Sequence, residues 1–127
     1  MMRRVSVERR RVTQLRRFGL LALVFMSPLA GAEPSAQDQI REGRVIAWDR
    51  NAGNCLSCHW MPESELPGNI GPPLIQMQFR FQDRASLRRQ IWDPTEANPD
   101  TVMPPYGKHG ILTDHQIEQV IDYLYSI

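Results

Sequence analysis

The sequence predicts an all-α fold, and three observations carry that expectation. Apolar residues recur at helical spacing in separate segments near the start, middle and end of residues 33–127. The two long stretches between those segments hold too many prolines and glycines for regular structure. A single pentapeptide, Cys55-Leu56-Ser57-Cys58-His59, stands just after the first helical segment and has the C-x-x-C-H pattern that attaches a c-type haem.

The chemistry explains the spacing. On one helical turn the sulfurs of Cys55 and Cys58 reach two adjacent vinyl groups of the porphyrin, while His59 swings its imidazole under the iron. A redox dithiol or a plain disulfide uses the same two cysteines. Neither gives His59 a role, and no βαβ pattern of a thioredoxin-like fold surrounds the motif.

Residues 1–32 read as a cleaved secretory signal. Seven arginines form a basic leader, residues 18–29 an apolar run, and Ala30-Gly31-Ala32 an A-x-A site before Glu33. The apolar run is about a dozen residues, short of the roughly 20 that span a bilayer, and Pro28 interrupts its end. No membrane span is therefore expected after cleavage, and the working domain is residues 33–127. Arg16-Arg17-Phe18 matches a twin-arginine signal only loosely, and haem attached after export favours the general secretory route into the periplasm.

Cleavage also reverses the charge. The whole chain is formally +1, but the leader carries seven of the fifteen basic residues and only Glu8 of the acids, which leaves 8 basic against 13 acidic residues, or −5. That balance excludes nucleic acid as an expected partner. Ninety-five residues make one small domain whose apolar core alone is marginal, so one covalent haem c supplies what the core lacks.

Helical spacing runs from Glu33 to Asn51, with Ser35 as cap and Ile40, Ala47 and Trp48 on one face. Gly43 leaves a bare spot where a second helix can approach. After His59 the run 62–74, ending Gly71-Pro72-Pro73-Leu74, is a loop. Pro72 offers a carbonyl to take the second ring N–H of the iron-bound histidine. In the middle segment Leu87 and Ile91 lie four apart, Asp83 or Ser86 can cap, and Asp93-Pro94 stops the helix.

Were that helix to start early, Arg80, Arg84 and Arg88 would share a face. A solvated stripe, a partner contact and a grip on the haem propionates are the three readings of it. Residues 93–112 are irregular again, and so long a stretch in a small domain points to a site. Met103, a soft thioether before two stiffening prolines, is the expected ligand opposite His59; Met77 and His109 are its rivals, and Met61 is too close to His59 to reach the other face. Thr113 and Gln116 form a capping box, and Ile117, Val120, Ile121 and Leu124 give the last helix one apolar face, whose natural partner is the first helix.

The order helix, C-x-x-C-H, Gly-Pro-x-Leu loop, helix, methionine loop, terminal helix resembles a class I cytochrome c over residues 35–127. Gly68-Asn69-Ile70-Gly71-Pro72-Pro73-Leu74, Ile91-Trp92-Asp93-Pro94 and above all Asn98-Pro99-Asp100-Thr101-Val102-Met103-Pro104-Pro105 resemble the SoxX family, the monohaem subunits of the SoxAX sulfur-oxidation complex. That resemblance implies terminal helices crossing around one covalent haem, with Pro/Gly-rich loops over its faces. It also implies a periplasmic heterodimer with SoxA, which joins thiosulfate oxidatively to a cysteine of the carrier SoxYZ, an L-cysteine S-thiosulfotransferase activity. In that picture the sulfur chemistry sits on SoxA, and this chain passes electrons to a downstream cytochrome c. With no third cysteine and two axial ligands, the chain holds no open position for substrate. A free-standing electron shuttle and a haem sensor are the alternatives.

Overall fold

The computed structural model describes residues 33–127; the expected signal sequence lies outside the described residues. Four α-helices follow one another: α1 Ala36–Trp48, α2 Met77–Arg80, α3 Arg84–Trp92 and α4 Asp114–Ser126, with short 3-10 turns at Cys55–Ser57 and Pro94–Glu96. No strand occurs among the described residues, so the all-α expectation holds. None of the described helices is long and apolar enough to cross a membrane.

The two terminal helices start where their caps place them. The Ser35 hydroxyl accepts from the Asp38 N–H at 3.1 Å while the Asp38 carboxylate accepts from the Ser35 N–H at 3.2 Å. Thr113 and Gln116 repeat that reciprocal bond at the head of α4. α1 then crosses α4 at Gly43, where an added Cβ would stand 1.9 Å from the Gln119 carbonyl oxygen. Ala47, Ile117, Val120, Ile121 and Leu124 are buried around the crossing, and the Trp48 Nε1–H donates to the Tyr123 hydroxyl at 3.1 Å.

The middle segment departs from a single early-starting helix. It breaks at Phe81, and Asp83 recaps it by accepting from the Ser86 N–H at 2.7 Å, so Arg80 lies on a different element from Arg84 and Arg88. Arg84 and Arg88 make ion pairs within the chain that the sequence reading did not anticipate. Arg84 pairs with Glu118 and Asp122 at 2.6 Å each and donates to the Glu118 carbonyl. Arg88 pairs with Glu118 at 3.0 Å and with Asp114, and lies over the Trp92 ring. The two guanidiniums clamp α3 to α4.

Asp93 ends α3 and begins the second irregular stretch. It is 5% exposed, accepts from Thr95, and receives the Lys108 ammonium at 2.6 Å. Backbone N–H groups of Tyr106, Gly107 and Lys108 donate to the carbonyls of Ile91 and Trp92 and fold the stretch back onto the end of α3.

The hydrogen bonds from Lys108 and Thr95 hold the Asp93 carboxyl below the usual carboxylate range, and Asp93 holds the Lys108 amine above its ordinary value. A carboxyl depressed on folding stabilises above its unfolded value of about 3.9 and loses that contribution as pH falls through the lower folded value. The raised amine stabilises below about 10.4 and loses its share as pH climbs through the folded value. Asp93→Asn is therefore expected to melt below wild type at neutral pH and to lose stability less steeply on acidification. Thermal melts of both proteins from neutral pH down to pH 3 check this, and parallel acid limbs contradict it.

Candidate functional site

The C-x-x-C-H motif is built into the fold from behind. Asn54 takes a left-handed conformation at φ 48° and turns the chain into the 3-10 turn that carries Cys55. The Gly53 N–H donates to the Ile46 carbonyl of α1 at 3.0 Å, and the buried Tyr106 hydroxyl donates to the Gly53 carbonyl at 2.6 Å. The His59 N–H returns to the Cys55 carbonyl at 2.9 Å, so thiols and imidazole are gathered on one short turn.

The Pro/Gly loop lies directly against this turn. Gly68, Gly71 and Leu74 donate their N–H groups to the carbonyls of Leu56, Cys58 and Trp60 at 2.7–2.8 Å. His59 Nδ1 stands 2.7 Å from the Pro72 carbonyl oxygen. A carbonyl only accepts, so Nδ1 carries a proton, and Nε2 is the ring nitrogen left to a metal. A Cβ on Gly71 would lie 2.3 Å from His59 Cε1, so only glycine lets the loop pass the imidazole this closely.

A cavity of about 670 Å³ opens in front of the imidazole, and Cys55, Cys58, His59, Pro72, Met77 and Met103 all line it. Met103 is part-buried; its N–H donates to the Thr101 hydroxyl at 3.2 Å, and its sulfur lies 3.8 Å from Gln90 Nε2. The Met77 sulfur accepts from Arg80 Nη1 at 3.3 Å. Met61 is fully buried in the core and does not line the cavity, and His109 and His115 are exposed away from it.

Burial, reinforced by Cys58, pushes the Cys55 thiol up to about 12, although the residue as a whole is only part-buried. A dithiol enzyme needs the opposite, a thiol lowered towards neutrality. The chemistry of Cys55 therefore disfavours the redox reading of the motif.

Two cavity residues carried no signal that marked them as site residues. Arg50 precedes the motif by five positions and looks like a surface charge, and Gln90 looks like one more polar position of α3; both line the cavity. At the mouth Ile70 and Val102 are 68% and 75% exposed, one from each Pro-rich loop.

Two terminal helices crossing at a glycine, a C-x-x-C-H turn and Pro/Gly loops laid over a shared cavity define an all-α, class I cytochrome c-like fold. Such a fold implies a haem c. The residues fit one: two free thiols, an imidazole whose Nδ1 is committed to Pro72, and thioether sulfurs surround a single largely apolar cavity. Among the described residues no three His, Cys, Asp or Glu side chains gather as a bare metal-ion site, so the donor set suits a ring that fills the space between them.

Comparison with known proteins narrows the class. This chain is similar to a chain of the crystal structure of SoxXA from P. pantotrophus, with a TM-score of 0.61 and 28% identity, over 79% of this chain and 86% of that one. The likeness supports a SoxX-like cytochrome fold. Over 75 residues the chain is also 34% identical to an uncharacterized lipoprotein of Aquifex aeolicus (strain VF5). That match takes in 58% of this chain and spans about a third, 36%, of the length of that relative. No family model matches the sequence.

Proposed function

We propose that the chain is a periplasmic monohaem c-type cytochrome, the electron-transfer subunit of a SoxAX-type complex that couples thiosulfate to a cysteine of SoxYZ. The observation that carries this reading is the His59 imidazole, with Nδ1 committed to Pro72 and Nε2 free towards a cavity that Cys55, Cys58 and Met103 share. The SoxXA likeness supports the choice of complex.

A bound haem supplies the one-electron couple of its iron. Cys55 and Cys58 would fix the ring through thioethers, and His59 and Met103 would hold its iron. Iron held by two protein side chains would leave substrate no place on it, so in this reading the sulfur chemistry belongs to a SoxA partner. Pro72 takes the Nδ1–H and Gly71 passes close against the ring, so together they hold the imidazole in one orientation for a metal. The apolar Ile70 and Val102 at the mouth suit close approach of SoxA or of the downstream cytochrome c that accepts the electron.

The exported chain, made in a host with a cytochrome c maturation system, is expected to start near Glu33 and to gain the mass of one haem. Its colour should stay with the polypeptide in acid–acetone. Free haem in the organic layer refutes the covalent attachment. Co-purification with SoxA distinguishes the complex subunit from a free-standing shuttle, which elutes alone.

A further inference from the structure

We propose that Gln90 is a positioning residue for the Met103 thioether and, through it, raises the redox potential of the site; the inference rests on the haem reading above. Gln90 Nε2 lies 3.8 Å from Met103 Sδ, within the longer reach that the large sulfur atom gives an N–H donor, and both side chains line the cavity that His59 faces.

Neither partner is free to drift. Gln90 sits on α3 between Leu87 and Ile91, both buried, and the Arg84 and Arg88 ion pairs clamp that helix to α4. Met103 is held by its N–H bond to the Thr101 hydroxyl, by Pro104 and Pro105, and by the Tyr106 N–H bond to the Ile91 carbonyl. The methionine loop is thus moored to the residue next to Gln90, which keeps amide and sulfur in register.

A thioether sulfur has two lone pairs. The amide occupies one and leaves the other for the metal, which settles which way the sulfur turns. An N–H on the first also draws electron density off the sulfur; the poorer donor would cost ferric iron more stabilisation than ferrous iron, so the potential of a bound haem would rise. The neutral amide does this without placing a charge beside the iron.

The test uses the haem-loaded protein with Gln90→Leu, which removes the donor at similar length, and Gln90→Met, an unbranched second choice should leucine disturb packing. The readouts are the midpoint potential, the ring-current-shifted methionine methyl signal of the reduced protein, and the carbon monoxide association rate. Expected are a lower potential, a displaced or split methyl signal, and several-fold faster carbon monoxide binding in either variant. A wild-type potential and methyl position in a folded variant overturn the proposal, even if its melting temperature falls, because that pattern is packing alone. Absence of any shifted methionine methyl in the wild type overturns the Met103 assignment itself, and is distinguishable because it appears before any substitution.

Discussion

Gly43→Ala is expected to lower the melting temperature by on the order of 10 °C. The added Cβ would stand 1.9 Å from the Gln119 carbonyl oxygen and 2.5 Å from its carbon, and both are backbone atoms of α4 that no rotamer change can move aside. The helices must separate or slide, at a cost of about 3 kcal/mol, the upper part of the usual range for overpacking. Alanine recovers up to about 1 kcal/mol because it is the better helix former. The overpacking wins, which leaves a net loss of about 2 kcal/mol in a domain of this size. Circular dichroism melts of both proteins decide it: an unchanged or higher midpoint means that the crossing yields more easily than its geometry indicates.

Met103→Ala is expected to abolish the weak far-red charge-transfer band of thioether-bound ferric iron, to lower the potential and to admit carbon monoxide to the reduced protein. The rival sulfur of Met77 shares the cavity but is already engaged by the Arg80 guanidinium, which also grips the Pro73 carbonyl at 2.7 Å, beside the proline that holds His59. That arrangement puts Met77 with the imidazole side of the site. Met77→Ala should leave the band in place, and loss of the band there with retention in Met103→Ala reverses the assignment.

Local chemistry made much of this fold readable before any coordinates. Ser35, Asp83 and Thr113 each begin a helix because a side-chain oxygen within a few residues satisfies an otherwise unpaired N–H, and such bonds depend on sequence spacing alone. Gly43 was legible as a bare spot on a helical face because a second amphipathic helix needed a partner.

The arginines were not legible in the same way. Arg84 meets Glu118 and Asp122, 34 and 38 residues away, and only the angle between α3 and α4 brings those carboxylates within reach. The break at Phe81 that removes Arg80 from the row has no proline or glycine to announce it. Of the candidate site residues, Cys55, Cys58 and His59 stand out as a motif, whereas the amide of Gln90 acquires meaning only once the methionine loop has folded back over α3.

Tyr106 joins the segment that bears Met103 to the segment that bears the cysteines and His59 through one buried hydroxyl bond to Gly53. Burial raises the phenol well above its ordinary value, so the bond keeps its proton over the whole range in which a protein of this kind stays folded. The two halves of the site therefore behave as one rigid jaw with a strut across it. The residues that would hold a haem from its two sides are thus tied to each other as well as to the core, an arrangement that would suit a site required to keep its shape while its charge changes.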